Sequence, residues 1–351
     1  MLGTGIGVLA LGSLGYLLYS TRTLNRGREK VVIVDTRGRE VTLTCPVKRV
    51  VITDDNVAEP VQLIGAAKKV VGIERSVADR GYYPEMADKP DVGNQFRGLN
   101  YELIAELKPD VVIMLGHLAM PEATIRKLEE IGIPAVCIDP VDPLMQEKSI
   151  RILGKLFGAE QRAEEFIRWR REVLALISDR LKGVRERKRA IACMLFKPGE
   201  FPKRVFASNY VMNPTLEWAG LENLGKTLPG FSVDVDAEWF VESDPDVIIV
   251  GDWNDFFVGY KVGDPSVPAE ALLKLVKSET WLEQVRAVKE GRVYLVEYML
   301  LGTRAFMGSL YLAKAVYPER FGDIDPEEYH REYFERWLGV EYGGIWFFPT
   351  P

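Results

Sequence analysis

The sequence predicts an α/β fold of two similar lobes with largely parallel sheets, joined by one long helix and preceded by an N-terminal transmembrane or signal segment. Apolar strands alternate with helical segments, one strand–helix unit occurs twice, and a long amphipathic segment separates the two copies. We therefore divide the chain into a membrane anchor or signal segment at 1–21, a basic linker at 22–30, a first lobe at 31–158, a connecting helix at 159–187 and a second lobe at 188–351.

Short apolar runs mark the predicted strands. Runs of this kind, bounded by turn residues, are typical of strands buried on both faces of a parallel sheet. Helical segments separate them, for example at 101–107 and 122–131. The apolar runs lie at 50–52, 111–115, 135–138, 191–195 and 247–250.

A thirteen-residue unit occurs twice, at 101–113 and at 237–249. In each copy a glutamate, Glu102 or Glu238, stands seven residues before Pro-Asp-Val, and an apolar strand follows. Proline ends a short helix, aspartate takes the turn, and the buried strand begins. Such turns are common in α/β proteins, so either copy alone would carry little weight.

Two further elements precede each copy in the same order. A glycine-containing segment lies at 63–72 and again at 216–225, and a strand that begins Arg-Val stands before it, at Arg49 and at Arg204. The ordered set indicates an internal duplication, and hence two similar lobes.

The segment between the copies has helical spacing. Apolar residues recur every three or four positions from 159 to 183, with charged residues between them. A single helix of that length spans about 35 Å and would limit the lobes to a small hinge movement. A coiled coil with a partner helix is the alternative. We expect the final helix, at 327–338, to pack back across both lobes.

Composition excludes several functional classes. A net charge of -6 argues against a nucleic-acid partner. Two histidines, His117 and His330, cannot build a site for bare zinc or nickel from several imidazoles. The three cysteines are widely spaced, so we expect buried thiols, although one disulfide stays open. No Ser–His–Asp order, nucleophile elbow or phosphate loop is visible in the sequence.

The first 21 residues, 1–21, carry no charged side chain. They extend for about 30 Å as a helix, which is enough to cross a bilayer core. We favour a retained anchor over a cleaved signal peptide, because a basic start and an A-x-A-like exit are missing. The basic residues at 22–30 follow the span, which by charge bias alone would place the body in the cytoplasm. Large domains can translocate regardless of that bias, so the orientation stays open.

The repeated E-x6-P-D-V-x-I unit resembles that of the class III periplasmic substrate-binding proteins of ABC importers. These form the helical-backbone metal-receptor superfamily for iron siderophores, haem and cobalamin. Three further stretches resemble the same family, CPVKRVVIT at 45–53, AVKEGRVYLVEY at 287–298 and YPERFGDIDPEEYHREYFERWLG at 317–339. The resemblance covers about 31–339. Its motifs are specific for the fold and the transport role, and weak for the ligand.

The resemblance implies that one glutamate on the outer surface of each lobe docks on arginines of the permease dimer. By their position in the motif, Glu102 and Glu238 match those residues. Two matched carboxylates would suit two similar permease subunits. A surface glutamate that interacts favourably with a helix N-terminus is the alternative.

Ligands of open α/β sheets bind outside the carboxyl ends of the strands, so we expect the ligand between the lobes. The aromatic stretch from Trp253 to Tyr260 would form a wall for a planar macrocycle or aromatic chelator, unless it tucks into its lobe. Arginines such as Arg80 suit anionic chelates, and the resemblance points to Arg304 among them. His117 is a weak candidate for a residue that contacts a metal ion held in the ligand. The candidate ligand-binding residues are Asp54, Asn56, Arg75, Tyr82, Tyr83, Arg97, His117, Tyr210, Trp253, Phe256, Phe257, Tyr260, Tyr298 and Arg304.

Taken together, these features predict an extracytoplasmic substrate-binding protein, anchored to or secreted at the outer face of the cytoplasmic membrane. We expect a monomer that captures a ferric siderophore, corrinoid or haem and delivers it to an ABC permease dimer with its ATPase. We expect no catalytic residue, no cofactor and no directly bound metal. The alternatives are a membrane-tethered ligand sensor of the same fold and a chelatase or nitrogenase-like enzyme component. The enzyme would need cluster-binding cysteines or an acid–histidine pair.

Overall fold

The computed structural model describes residues 29–116 and 122–350. Among these residues no helix is both long and apolar enough to cross a bilayer. The predicted span at 1–21 and His117 lie outside the described residues. The predicted α/β class is confirmed, because parallel strands alternate with helices through most of the chain.

The first sheet has four parallel strands, which lie side by side in the order 70–72, 50–52, 111–115 and 135–138. An antiparallel hairpin precedes it, and a second short hairpin follows its second strand. The strands are β1 Glu29–Val34, β2 Glu40–Cys45, β3 Val50–Ile52, β4 Val70–Gly72, β5 Gly93–Asn94, β6 Gly98–Leu99, β7 Val111–Leu115 and β8 Ala135–Ile138. The helices are α1 Asp55–Leu63, α2 Arg75–Arg80, α3 Tyr101–Leu107, α4 Glu122–Glu130 and α5 Gln146–Phe157.

The second sheet has seven strands. Four of them are parallel and lie side by side in the order 221–223, 188–195, 247–252 and 293–297, and the remaining three pair antiparallel at its edges. The strands are β9 Lys188–Leu195, β10 Arg204–Phe206, β11 Leu221–Asn223, β12 Ser232–Asp234, β13 Val247–Asp252, β14 Val293–Glu297 and β15 Phe347–Pro349. The helices that follow the connecting helix α6, Glu160–Arg180, are α7 Asn213–Trp218, α8 Ala237–Ser243, α9 Ser266–Lys277, α10 Arg286–Lys289, α11 Ala305–Val316 and α12 Pro326–Glu332.

The duplicated unit has the same local geometry in both sheets. Helices α3 and α8 each have seven residues, and each begins at a side-chain cap, Asn100 or Asp236. Each ends at a non-glycine residue in the left-handed region, Lys108 with φ 46° and Asp244 with φ 37°. Proline follows in both copies, so the helix cannot continue and the buried strand begins.

The aspartate after that proline ties each unit to the neighbouring strand. Asp110 accepts a hydrogen bond from the backbone N–H of Arg49 at 3.0 Å, and Asp246 accepts one from the N–H of Arg189 at 2.9 Å. The counterpart of Arg49 is therefore Arg189. The predicted match with Arg204 is wrong, because Arg204 begins an antiparallel strand that has no equivalent in the first sheet.

The connecting helix α6 touches both halves of the molecule. Its 21 residues span about 30 Å, less than the sequence predicts, because the helix ends at Arg180. Arg162 donates to the carbonyl of Leu63 at 2.6 Å and to that of Trp337 at 2.8 Å. One hydrophobic cluster contains buried residues of both lobes and of α6. A shared core of this kind restricts how far the lobes can move relative to each other.

The C-terminal residues return to the first lobe. A π-helical segment, Tyr333–Leu338, follows α12. Its Tyr333 donates a hydrogen bond to Glu59 at 2.6 Å, and Gln62 donates to the carbonyl of Leu338 at 2.7 Å. Strand β15 then pairs with β14 of the second sheet. The chain end thus links α1 of the first lobe to the edge of the second sheet.

Candidate functional site

A cavity of about 540 Å³ lies where the two lobes meet. It is lined by loops and helix starts that follow parallel strands of both sheets, which is where open α/β sheets bind their ligands. The lining residues are Asp55, Glu74, Ser76, Asp79, Arg80, Asn94 and Arg97 from the first lobe and Trp253, Asn254, Asp255, Lys261, Val262 and Tyr298 from the second. The lining is polar and carries both signs of charge.

The loop after β13 places Trp253 at the cavity. The carboxylate of Asp252, at the end of the strand, accepts backbone hydrogen bonds from Phe256, Phe257 and Val258 at 3.2, 2.7 and 3.2 Å. These bonds fix the turn of the loop. Trp253 then stacks on Tyr298, with ring centroids 4.8 Å apart and planes 25° apart. The stacked pair forms the apolar part of the lining.

Arg80 is the central charge of the cavity wall. Its Nε and Nη2 donate to Asp55 Oδ2 at 2.8 and 2.7 Å, within the first lobe. Its Nη1 donates to Asp255 Oδ2 of the second lobe at 2.6 Å and lies 3.5 Å from Glu297 Oε1. Its guanidinium also lies 5.0 Å from the ring centroid of Tyr298. Arg80 therefore joins the lobes through charged hydrogen bonds.

Arg304 forms a second ion pair between the lobes, behind the cavity. Its side chain is 0% exposed, as is that of Glu59 on α1. Nε donates to Glu59 Oε1 at 2.8 Å, and Nη2 donates to Glu59 Oε2 at 2.5 Å and to the hydroxyl of Tyr82 at 2.7 Å. Tyr83 and Tyr333 also donate to the Glu59 carboxylate, at 3.0 and 2.6 Å. The buried carboxylate is thus fully engaged by donors.

Aromatic rings enclose the Arg304 guanidinium. The ring centroids of Tyr82, Tyr333, Phe334 and Trp346 lie between 4.6 and 5.8 Å from it. Cation–π attraction and the Glu59 pair together offset the cost of burying a charge here.

Two carboxyl groups at the junction between the lobes lie in an environment that disfavours their charged form. Burial raises the pKa of Glu297 to about 8, and the neighbouring Asp255 acts in the same direction. Burial likewise raises the pKa of Asp54 to about 8, with a contribution from Asp55. Neither oxygen of Glu297 accepts a hydrogen bond from the described residues. The junction therefore favours proton uptake by at least one acid.

Five of the candidate residues lie in or beside the cavity. Arg97, Trp253 and Tyr298 line it. Asp54 caps helix α1 by accepting from the backbone N–H of Asn56 at 3.0 Å. Asn56 accepts a hydrogen bond from Thr303 of the second lobe at 2.9 Å and so helps to join the lobes.

Four further candidates lie behind the cavity. Tyr82, Tyr83 and Arg304 belong to the buried Glu59 network described above. Tyr260 packs against Tyr82, with ring centroids 5.2 Å apart. These residues support the junction from behind and do not face the cavity.

Other candidates lie elsewhere. The Arg75 side chain is 70% exposed on α2 and pairs with Asp79 at 3.5 Å. Tyr210 stacks on Phe206 within the second lobe, with centroids 3.9 Å apart. Phe257 packs against the second-lobe core, and Phe256 lies at the surface, 36% exposed. Of the four aromatics from Trp253 to Tyr260, one reaches the cavity, so the predicted flat wall is not formed.

Sequence reasoning missed the acids that hold the junction together. Asp55 begins helix α1 directly after a predicted strand, and Asp255 stands in the loop after another. The strand pattern places both positions at the cleft, and that signal could have found them. Glu297 ends an apolar strand, where an acidic residue is conspicuous. Glu59 lies within helix α1 and has no such signal. In the part of the chain that the structure describes, no group of three or more His, Cys, Asp or Glu residues is arranged to hold a metal ion.

Glu102 and Glu238 lie in the first turns of α3 and α8, and both are exposed. Neither lines the cavity. Each helix leads through a short turn into a parallel strand, so its N-terminus lies at the same end of the sheet as the carboxyl ends of the strands. The two glutamates therefore flank the end of each lobe that carries the cavity.

Replacement of Arg304 tests the buried ion pair. Arg304→Ala should lower the free energy of unfolding by about 3–5 kcal/mol, because Glu59 keeps its buried charge and loses its partner. Arg75→Ala removes an exposed pair and should change the free energy by less than about 0.5 kcal/mol. Urea unfolding measures both. Equal effects of the two substitutions would contradict the assigned role of Arg304.

Glu297 makes stability depend on pH. Folding raises its pKa from 4.5 to about 8, so its contribution to stability is complete below pH 4.5 and is lost as the pH rises to about 8. The free energy of unfolding should fall over this window, by at most about 1.4 kcal/mol per pH unit for one proton. Glu297→Gln should reduce the slope without removing it, because the pKa of Asp54 is also raised. Urea unfolding at pH 5, 6.5 and 8 measures the slope, and an unchanged slope in the variant would refute the assignment.

Comparison with known proteins gives consistent matches over most of the chain. Residues 50–298 match the family model described as periplasmic binding protein. The molybdate-binding protein MolA of Haemophilus influenzae is 23% identical over 344 residues, covering 89% of this chain and 92% of that protein. The uncharacterized ABC transporter substrate-binding lipoprotein YvrC of Bacillus subtilis is 26% identical over 299 residues, covering 83% of this chain and 87% of that protein.

A solved structure shows the same fold. The TroA-like periplasmic binding protein FepB from Veillonella parvula superposes with a TM-score of 0.79 at 24% identity, covering 92% of this chain and 100% of that one. The family model alone spans more than half of the sequence. The chain therefore belongs to the periplasmic binding protein family, whose members serve ABC transporters as substrate-binding proteins.

Proposed function

We propose that this protein captures a metal chelate or metal oxyanion in the cavity between its lobes and delivers it to the permease of an ABC importer. The observation that carries the proposal is the cavity itself, which both lobes line with residues at the carboxyl ends of their parallel strands. Its volume of about 540 Å³ falls within the range of small-molecule sites, about 300–1,000 Å³.

The lining favours a compact polar ligand. Charged and amide side chains surround one stacked aromatic pair, Trp253 and Tyr298. This mixture suits a complex that presents oxygen or nitrogen groups to the protein, such as a ferric siderophore. It suits the apolar face of haem or the bulk of a corrinoid less well. The relative MolA is a molybdate-binding protein, which supports a metal-containing anion as a second ligand class.

We propose that Glu102 and Glu238 dock on the permease dimer, which works with its ATPase. Both carboxylates are exposed, occupy equivalent positions in the duplicated unit and make no hydrogen bond or ion pair to the described residues. Two equivalent acids suit two equivalent basic sites on a dimer. The protein would act as a monomer.

We also propose that the segment at 1–21 tethers the protein at the outer face of the cytoplasmic membrane. Its uncharged length supports a span. The lipoprotein relative YvrC supports tethering as the mode of attachment.

A ligand panel tests the capture. We expect one compound among ferric siderophores, molybdate, cobalamin and haem to raise the melting temperature of the purified protein and to appear bound in native mass spectrometry. Trp253→Ala should weaken that binding at least about tenfold, equivalent to about 1.4 kcal/mol. Phe256→Ala, on the same loop but outside the cavity, serves as the matched control and should bind normally. If no compound binds, the ligand class is wrong.

A double substitution tests the docking. Glu102→Ala with Glu238→Ala should abolish uptake in cells and leave the ligand affinity of the purified protein unchanged, because neither residue lines the cavity. Glu106 and Glu242 lie one turn further along the same two helices and are also exposed. Glu106→Ala with Glu242→Ala is therefore the control and should retain uptake. Normal uptake by the first pair, or loss of its ligand affinity, would overturn the docking assignment.

A further inference from the structure

Arg80 presents one guanidinium nitrogen across the cavity. Its Nε and Nη2 are both held by Asp55 Oδ2, on the same lobe, at 2.8 and 2.7 Å. That attachment fixes the plane of the guanidinium independently of the second lobe. Nη1 is left to face the second lobe at the cavity wall, where it is preorganised to bind an anionic oxygen atom.

In this structure the oxygen atom that meets Nη1 belongs to Asp255. The distance from Nη1 to Asp255 Oδ2 is 2.6 Å. Asp255 stands in the loop after β13, and its backbone lies in the left-handed region with φ 53°. At Gly259 an added Cβ would lie 3.0 Å from Cγ of Asp255, so glycine leaves room for the carboxylate. The loop thus aims a carboxylate at Arg80.

Asp255 is a poorly satisfied partner for Arg80. Its other oxygen, Oδ1, is buried and accepts no hydrogen bond from the described residues. Arg80 also contacts two further carboxylates, Asp55 and Glu297, so Asp255 shares this guanidinium with both of them. Burial raises the pKa of Asp255, which means that its anionic form is disfavoured there. Replacement of this carboxylate by another anionic group would therefore cost little.

We propose that Asp255 competes with the ligand for Arg80, and that an anionic oxygen group of the ligand takes its place on Nη1. The inference rests on the proposed function and narrows its ligand to compounds with at least one free carboxylate or similar anionic oxygen. Asp255 would then set the affinity. Removing its charge strengthens binding, whereas removing an ordinary contact residue weakens it.

Asp255→Asn and Asp255→Gly test this competition. Asparagine and glycine both tolerate the left-handed backbone, so neither substitution strains the loop. The probe is ferric citrate, a chelate with anionic oxygen groups, and its affinity is measured by calorimetry on the full chain. Both variants should bind it at least about tenfold more tightly than the unaltered protein, because the internal competitor has lost its charge or is absent.

Asp88→Asn is the matched control. Asp88 of the first lobe is exposed and does not line the cavity, so its loss reports the general effect of removing one negative charge. It should change the affinity less than threefold. An equal gain in Asp88→Asn, an unchanged or weaker affinity in the Asp255 variants, or no binding of ferric citrate by any of these proteins would overturn the inference. Binding of any compound of the ligand panel would still uphold the proposed function, so the two failures are distinguishable.

Discussion

Two arginines bury their charge at the junction between the lobes, and the arrangement of the site depends on how those charges are matched. A buried guanidinium is tolerated only where carboxylates, hydroxyls or aromatic faces compensate for its lost hydration. Arg304 meets this requirement with the Glu59 carboxylate, the Tyr82 hydroxyl and four aromatic rings, those of Tyr82, Tyr333, Phe334 and Trp346. Arg80 meets it with Asp55 and Asp255. The pairs Arg304–Glu59 and Arg80–Asp255 cross from one lobe to the other.

The two pairings serve different ends. The Arg304 pair is fully enclosed and continuous with the shared hydrophobic core, so it fixes the lobes against each other. The Arg80 pair borders the cavity and contains a carboxylate that is only partly satisfied. Because the Arg304–Glu59 pair holds the lobes together, a ligand can replace the Arg80–Asp255 contact without separating them. The connecting helix and the returning C-terminal residues reinforce the rigid side.

Much of the fold could be predicted from the sequence because it depends on local signals. Apolar strand runs, the Pro-Asp turn and the recurrence of the unit each depend on a few adjacent residues, and they gave the α/β class and the doubled parallel sheet. The match of Arg49 to Arg204 failed because a strand that begins Arg-Val does not reveal its direction in the sheet. The direction depends on pairing with distant strands.

The site was harder to predict for the same reason. The ends of the predicted strands gave the position of the cavity. Trp253 and Tyr298 come directly after two of those strands, so they could be predicted as well. Whether a side chain faces the cavity or the interior of its lobe depends on packing. Tyr210 and Phe257 pack inside the second lobe. Glu59 could not be found in this way because the arginine that pairs with it, Arg304, lies 245 residues away in the sequence.

Anomalous diffraction from crystals grown with the bound metal complex would test most directly whether the junction is the place of capture. We predict a single strong peak inside the cavity, beside the Trp253–Tyr298 pair and the Arg80 guanidinium. A peak on the outer surface of either lobe, with the junction unaltered, would contradict the account.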